Sequence, residues 1–189
     1  YEEYALSFAG HFGRSAPQWR RIGLASVVPV VAEAVAKLEP QQALFSIGGD
    51  NSITYSVMAG LFGDKLKNAG LITLDAHFDL RDGVSNGSPV RRLIEAGLDP
   101  QRVVQIGINN FSNSAAYAAR ARDLGITVVT RSELEERGIR DVMEDALEIA
   151  AGSAGIYVDL DADVCDRAFV PACPAAAPGG ISPAELRLA

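Results

Sequence analysis

Two short acidic segments hold the side chains that could do chemistry. Asp75, His77 and Asp79 alternate along the segment LDAHFD, and Asp161 and Asp163 alternate along the segment LDAD. Side chains two residues apart on an extended segment share a face, so the members of each segment can converge. Carboxylates gathered in this way repel one another and lose hydration unless cations neutralise them. The pattern therefore predicts a site for a pair of divalent metal ions.

The elements that must position these side chains alternate between strand and helix. Apolar runs that predict strands lie at residues 43–47, 71–74, 103–108, 126–129 and 155–160. Helical patterns lie at residues 27–38, 52–62, 90–96, 114–124 and 141–150, and loops are predicted at 82–89 and 171–183. Such alternation predicts an α/β fold with three layers, α/β/α, and a mainly parallel sheet. Ligands of open sheets collect at the carboxyl ends of strands, where both acidic segments fall.

A third segment with ligand-type side chains, Gly48-Gly49-Asp50-Asn51, follows the strand predicted at residues 43–47. One aspartate after a strand commonly caps a helix or begins a turn. Three such strand ends in one chain are hard to obtain from turns alone, which favours a common site. The glycines could also form a phosphate-binding turn, but neither a Walker lysine nor a dinucleotide fingerprint accompanies them, so nucleotide binding is not expected.

The composition is that of a globular domain with an excess of acidic charge. The chain has 189 residues, 48% of them apolar, and a formal net charge of −7, so we expect one domain and no general affinity for nucleic acid or anionic membranes. The longest apolar stretch, residues 27–36, is too short to span a bilayer. Cys165 and Cys173 lack the CxxC spacing and fit reduced thiols in a cytoplasm. The chain begins with Tyr1 rather than methionine, so we expect a fragment.

The ligand-type segments also resemble known sequences. GGDNSIT at residues 48–54, DAHFD at 75–79 and DADVCD at 161–166 resemble the three metal-binding motifs of the arginase and agmatinase ureohydrolase family, in the family's order. The resemblance covers residues 43–182. It implies one ureohydrolase-like domain over residues 1–189 with an arginase-like fold, incomplete at both ends. Family members hold two Mn²⁺ ions at the end of a parallel sheet and hydrolyse carbon–nitrogen bonds of guanidino or amidine substrates.

The resemblance implies a role for each ligand-type residue. The metal ligands would be Asn51, Asp75, His77, Asp79, Asp161 and Asp163. Asp75 and Asp161 would bridge the two metals. His77 and Asp163 would complete one site, whereas Asp79 and residue 51 would complete the other. Asp50 and Asp166 would not bind metal themselves but would support the ligand residues.

Asn51 departs from the family pattern, which usually has histidine at this position. An amide oxygen can bind a hard cation, but it is a weaker donor to a transition metal than imidazole. One metal would then be held loosely, or Asn51 would orient a water instead, and both alternatives stay open. Asp159 likewise replaces the small hydroxyl residue that the family often has.

Several segments are most similar to formimidoylglutamases. They are FDLR at residues 78–81, SP at 88–89, IGI at 106–108, FSN at 111–113, CDR at 165–167 and CP at 173–174. This similarity implies hydrolysis of N-formimidoyl-L-glutamate to L-glutamate and formamide in histidine degradation. Asp79 is the candidate catalytic residue, which would orient the attacking water and move its proton. The expected substrate-binding residues are Arg81, Ser88 and Asn113, with the Arg81 guanidinium pairing with a substrate carboxylate.

Two other interpretations stay open at this point. The chain could be another ureohydrolase, acting on agmatine or a guanidino acid and releasing urea. It could also be a non-catalytic metal-binding or oligomerisation module, an alternative that Asn51 and the expected missing ends motivate. In each case we expect a small-molecule ligand or metal, no nucleic acid and no membrane, and the resemblance favours a homo-oligomer.

Overall fold

The computed structural model describes residues 24–38 and 44–189. Its helices are α1 Leu24–Ala36, α2 Ser52–Phe62, α3 Pro89–Glu95, α4 Ala115–Leu124, α5 Arg131–Arg137, α6 Ile139–Ile149 and α7 Pro183–Leu186. Its strands are β1 Ala69–Leu74, β2 Val103–Ile108, β3 Thr127–Thr130 and β4 Gly155–Leu160. The predicted bounds of α2, β2 and β4 match those observed, and the other elements that were predicted and form differ by a few residues at their ends. None of the described helices is long and apolar enough to cross a membrane.

The strands form one parallel sheet in the order β3-β2-β1-β4. β1 pairs with β2 on one side and with β4 on the other. The chain therefore advances in one direction from β1 to β3 and then returns to place β4 on the far side of β1. Such a reversal is a topological switch point, which leaves a crevice outside the carboxyl ends of the strands. The two acidic segments follow β1 and β4 and so flank this crevice.

Helices cover both faces of the sheet, as the sequence predicts. One core cluster joins Ile72 of β1 to Val142 of α6. The other joins Leu71 of β1 to Met58 of α2 and Leu93 of α3. Every residue of β1 is buried, because this central strand packs on both faces. The fold is thus a three-layer α/β/α domain whose central strand ends at the candidate site.

Residues 44–48 do not form the predicted strand. They follow an irregular path, and Phe45 and Ile47 are 90% and 77% exposed. A strand forms only where a neighbouring strand takes its backbone hydrogen bonds, and no described strand lies beside this segment. β4 likewise pairs on one side only within the described sheet, and its Val158 and Leu160 are exposed.

The helices α5 and α7 were not predicted. α5 has only seven residues, is mostly charged, and begins where the Thr130 side chain accepts a hydrogen bond from the backbone of Glu133. Gly138 separates it from α6, which was predicted to begin at residue 141. α7 begins with a capping box formed by Ser182 and Glu185, at the end of the loop predicted over residues 171–183.

Candidate metal centre

Three side chains at the switch point form a group that could hold a metal ion. The ligand atoms of Asp75, His77 and Asp163 all lie within 4.8 Å of one another. Nδ1 of His77 is 3.0 Å from Oδ2 of Asp163 and 3.6 Å from Oδ1 of Asp75. Asp75 and Asp163 are 1% and 4% exposed. We call these three residues the strand-end cluster, because they lie within three residues of the ends of β1 and β4.

Backbone hydrogen bonds tie the two halves of the strand-end cluster together. Asp161 donates its backbone N–H to the carbonyl of Leu74 at 3.0 Å, so the ladder between β1 and β4 continues past the strand ends. Oδ1 of Asp163 accepts from the backbone N–H of Ala76 at 3.2 Å. The backbone N–H of Asp163 in turn donates to Oδ1 of Asp161 at 2.9 Å. The carboxylates are therefore positioned by the sheet itself.

Burial and crowding shift the pKa values of these groups. Burial is the main reason that the pKa of Asp75 rises to about 8 and that of Asp161 to about 6, and the charge of Asp163 adds to both shifts. Hydrogen bonds to Asp163 and Asp75 raise the pKa of His77 to about 10. Burial pushes the pKa of Asp163 upward, but its hydrogen bond to His77 holds it below the usual value. A divalent cation would lower the raised values, because it favours the charged carboxylates.

A second pair of residues lies beside the strand-end cluster. Asn51 directly precedes α2, and its Nδ2 donates a hydrogen bond to Oδ2 of Asp79. The carbonyl of Asp79 accepts from the backbone N–H of Arg91 in α3 at 3.2 Å. Burial, and next the charge of Asp75, raise the pKa of Asp79 well above its usual value. We call Asn51 and Asp79 the helix-start pair.

The backbone of Asp79 is in the left-handed region. Its φ is 53°, and it is the one non-glycine residue of the described chain with a positive φ. Aspartate tolerates this conformation better than most residues, but it still costs about 1 kcal/mol or more. The turn directs the carboxylate inward beside Asp75, where Asp79 is only 7% exposed. A strained residue that buries a charge at this point supports a functional role.

Asp161 is near the strand-end cluster but is not a member of the group within 4.8 Å. Its charge nevertheless raises the pKa values of Asp75 and Asp79. The charge of Asp161 therefore acts on both the strand-end cluster and the helix-start pair. Its bridging role stays a prediction.

The two residues predicted to support the ligands make local backbone contacts. Oδ1 of Asp50 accepts from the backbone N–H of Ser52 at 2.9 Å and so fixes the start of α2. Asp166 accepts from the backbone N–H groups of Ala168 and Gly179 at 2.8 and 2.7 Å, and these bonds lower its pKa. Asp166 thereby joins the two ends of the loop that follows the strand-end cluster.

A cleft of about 2050 Å³ opens beside the centre. Its lining includes Asn51, His77, Asp79, Arg81, Asn113 and Asp161. It exceeds the volume of about 300–1,000 Å³ usual for a small-molecule site, because it also runs along the open edge of β4. Arg81 is exposed at this cleft. Nδ2 of Asn113 donates to the carbonyls of Ala76 and Asn109 at 2.8 and 3.1 Å, which leaves its Oδ1 as an acceptor.

Ser88, a predicted substrate contact, stabilises a turn beside the cleft. Its side chain is fully buried, at 0% exposure. Its hydroxyl accepts from the backbone N–H of Ser85 and donates to the carbonyl of the same residue, both at 2.9 Å. The hydroxyl therefore accepts one bond and donates one within a turn, and its contact with a substrate stays a prediction. The sequence could not distinguish these roles, because serine is common in turns and in sites alike.

Thr54 makes contacts at the centre that were not predicted from the sequence. Oγ1 of Thr54 lies 2.8 Å from Oδ2 of Asp159 and 3.1 Å from Oδ1 of Asn51. Burial raises the pKa of Asp159 to about 6, and the hydrogen bond from Thr54 opposes the rise. A carboxylate in the otherwise apolar segment of β4 is the signal that could have indicated a partner for Asp159.

The donor set fits a divalent metal such as manganese. Carboxylate oxygens with one imidazole suit Mn²⁺, whereas thiolates, which favour zinc or copper, are absent from the group. No lysine or arginine of the described chain pairs with Asp75, Asp79, Asp161 or Asp163, and His77 is the one base that does. Buried carboxylates without enough positive charge are the arrangement that a bound cation would stabilise.

Comparison with known proteins agrees with this geometry. The model of the arginase family matches residues 18–189. A formimidoylglutamase of Bacillus subtilis (strain 168) is 37% identical over 146 residues, which are 74% of this chain and 46% of that protein. A guanidinopropionase of Pseudomonas aeruginosa is 37% identical over 133 residues, which are 67% of this chain and 41% of that protein.

Solved structures give the same fold. The crystal structure of formimidoylglutamase from Bacillus subtilis has a TM-score of 0.76 at 30% identity and covers 87% of this chain and 52% of its own. The arginase from Bacillus cereus has a TM-score of 0.77 at 25% identity, with 87% and 63% covered. The chain spans about half the length of the curated relatives it matches. These matches agree with the predicted fold class, including its arginase-like character.

Proposed function

Because the chain belongs to the arginase family, we propose that it is a manganese-dependent hydrolase that cleaves a carbon–nitrogen bond of a linear amidine. The substrate favoured here is N-formimidoyl-L-glutamate, which with one water gives L-glutamate and formamide. Formimidoylglutamases among the relatives support this choice. The cytoplasm as its location and a homo-oligomeric state are parts of the same proposal.

One observation carries the proposal, namely the strand-end cluster within 4.8 Å. This cluster would hold one Mn²⁺, the helix-start pair would hold a second, and Asp161 would contribute to both. Bound manganese supplies positive charge that lowers the pKa of water and stabilises developing negative charge. The remaining work falls to side chains of this chain.

Asp79 is suited to move a proton. Its carboxylate is buried and lines the cleft, so one of its oxygens can accept a proton from the attacking water. The same oxygen would then donate that proton to the leaving nitrogen of glutamate. Its backbone conformation fixes the direction of the carboxylate.

Arg81 and Asn113 would orient the substrate. The guanidinium of Arg81 lies at the cleft and can form a bidentate pair with a substrate carboxylate. Oδ1 of Asn113 can accept from an amidine N–H, since both its amide hydrogens are already used by backbone carbonyls. Asn113 is thereby anchored to Ala76, next to the strand-end cluster.

A guanidino-acid hydrolase that releases urea is the second candidate. The similarity to guanidinopropionase supports it, and Arg81 would pair equally well with the carboxylate of a guanidino acid. A non-catalytic metal-binding or oligomerisation module is the candidate of another class. The amide at position 51, a weaker metal donor than imidazole, favours it.

Product analysis with the Mn²⁺-loaded protein separates these functions. We expect formamide from N-formimidoyl-L-glutamate and no urea from agmatine or 3-guanidinopropionate. Urea release without formamide would establish the second candidate, and retained manganese without either product would establish the module. Arg81→Ala should raise the KM for N-formimidoyl-L-glutamate more than it lowers kcat, and an unchanged KM would remove its carboxylate role.

Asp161→Ala tests the metal centre of the same protein. We expect the variant to lose formamide release together with stoichiometric manganese, measured by atomic emission after dialysis. Asp145→Ala is the matched control, because Asp145 is an exposed aspartate of α6 that pairs with Arg137. An Asp161 variant that kept two tightly bound ions would contradict the bridging role.

A further inference from the structure

The hydroxyl of Thr54 lies between two hydrogen-bond acceptors. Its Oγ1 is 2.8 Å from Oδ2 of Asp159 and 3.1 Å from Oδ1 of Asn51. A hydroxyl has one proton and can donate it to one acceptor at a time. The contact to Asp159 is shorter and goes to a carboxylate, so it is the stronger of the two. Thr54 is 1% exposed, which leaves little room for water to resolve the conflict.

The direction of this hydrogen bond decides which end of Asn51 faces Thr54. When Thr54 donates to Asp159, its oxygen is left as an acceptor, and the NH₂ group of Asn51 is the partner that satisfies it. The two ends of a carboxamide have nearly the same shape, so half a turn exchanges Oδ1 and Nδ2. The turned amide directs Oδ1 toward Asp79.

An amide oxygen that faces the ionised carboxylate of Asp79 needs a cation between the two groups. The structure has the opposite orientation, in which Nδ2 donates to Asp79 and Oδ1 faces Thr54. Two oxygens with no proton between them repel one another, whereas a divalent cation between them is coordinated by both. The two amide orientations therefore correspond to a hydrogen-bond donor and to a metal ligand.

The position of Asp159 supports a dedicated role. It lies in β4 opposite Thr73 of β1, on the sheet face that packs against α2. No lysine or arginine in the described part of the chain forms an ion pair with it, so it is not held there by a salt bridge. Its described side-chain partner is Thr54, 105 residues away in the sequence. A carboxylate within a strand is costly, and this contact is the one that compensates it.

We propose that Asp159 and Thr54 are positioning residues that turn the Asn51 carboxamide so that its oxygen, rather than its nitrogen, faces Asp79 and binds the metal of the helix-start pair. The inference rests on the proposed function, because it assumes a metal at this pair. It assigns to Asp159 the task of making an amide serve as a ligand. Neither residue touches substrate.

Manganese titration of the protein tests the inference without a measurement of activity. In Thr54→Val, which keeps the shape and removes the hydroxyl, we expect the weaker of two Mn²⁺ sites to lose about 10-fold in affinity, as outer-shell changes usually do. The tighter site should be unchanged. Thr54→Ser should restore wild-type binding. Isothermal calorimetry gives both affinities, and the exchange-coupled EPR signal of paired Mn²⁺ reports filling of the second site.

A change at residue 51 provides the specific control. Aspartate in Asn51→Asp has two equivalent oxygens and needs no orientation, so Thr54→Val should have little effect in that background. An equal loss of affinity in both backgrounds, or an equal loss at both metal sites, would overturn the inference. If Thr54→Val does not fold, as judged by thermal melting, Asp159→Ser removes the carboxylate instead and should give the same selective loss.

Failure of the two proposals can be distinguished. A wild-type protein that binds no Mn²⁺ would overturn the metal centre of the proposed function and this inference with it. A wild-type protein that binds two ions, with the weaker site unaffected by Thr54→Val and by Asp159→Ser, would overturn only the role of Thr54 and Asp159.

Discussion

The strand-end cluster and the helix-start pair face the same cleft but are built on different supports. Asp75 and Asp163 follow strands that pair with each other, and backbone hydrogen bonds join their segments. Asn51 instead follows residues 44–48, which pair with no described strand. Asn51 is held by side-chain contacts, to Asp79 and to Thr54.

The difference indicates unequal binding at the two places. A site whose donors are already held in position loses less entropy when a metal binds. The strand-end cluster also offers an imidazole, whereas the helix-start pair offers an amide, which is the weaker donor. We therefore expect the first Mn²⁺ at the strand-end cluster and a second, weaker one at the helix-start pair.

The largest effect should come from breaking the strand-end cluster. Asp163→Ala removes one donor and leaves His77 without its closest carboxylate, at 3.0 Å in the native protein. We expect loss of the tightly bound manganese and of hydrolysis, beyond the roughly 10–100-fold loss that follows removal of an outer-shell partner. Metal content after dialysis checks this, with Asp145→Ala as control. A variant that retained its tightly bound manganese would show that the strand-end cluster is not the stronger of the two metal sites.

A smaller effect should come from strengthening the helix-start pair. Asn51→His replaces an amide with an imidazole, so the weaker Mn²⁺ should bind about 10-fold more tightly, which corresponds to about 1.4 kcal/mol. Calorimetry would measure the change, and affinity at the strand-end cluster should stay the same. Asn110→His, at an exposed loop, is the matched control. Unchanged or weaker binding at the second site would contradict the proposed inequality.

The smallest effect concerns the pH dependence of the metal-free protein. Folding raises the pKa of Asp75 from 3.8 to about 8 and that of His77 from 6.5 to about 10, so the folded state binds more protons than the unfolded state between these values. Stability must then fall as the pH rises, from about pH 4 to 8 for Asp75 and from about pH 6.5 to 10 for His77. Added Mn²⁺ should stabilise more as the pH rises, because its ligands must lose those protons.

Thermal melting with a chelator and with Mn²⁺ measures both trends. The Tm of the metal-free protein should decline from about pH 4 to pH 10. The difference between its Tm and the Tm of the Mn²⁺-loaded protein should widen as the pH rises. Asp75→Asn should flatten the decline, since it removes the group with the raised pKa. A metal-free Tm that increased with pH would contradict the burial of these groups as the dominant influence on stability.

The same two regions show why the sequence predicted one part of the site better than the other. The bounds of β4 were predicted because its apolar run lies within one local segment. The predicted alternation of Asp161 and Asp163 does not continue from the strand, because residues 162–164 form a 3-10 helix. A strand at residues 43–47 was predicted by the same local pattern, and the described residues 44–47 do not form it, because a strand also needs a partner that its own segment cannot show.

The contact between Thr54 and Asp159 was beyond sequence patterns. Thr54 and Asp159 are 105 residues apart, and no periodicity links them. The helix α5 was missed because its seven residues contain one buried position, Leu134, and so carry no amphipathic repeat. Ser88 was expected at the substrate from the resemblance of residues 88–89 to formimidoylglutamases, and its burial in a turn depends on the fold of the loop around it.

The left-handed turn at residue 79 limits how this position can vary among natural relatives and in designed libraries. Glycine and asparagine would fit the backbone but supply no carboxylate, whereas glutamate would supply the charge and strain the turn. A library selected for soluble protein should accept three residues here, and one selected for turnover should accept aspartate alone. The residue at position 79 can therefore distinguish homologues that kept only the left-handed turn from homologues that also kept the carboxylate.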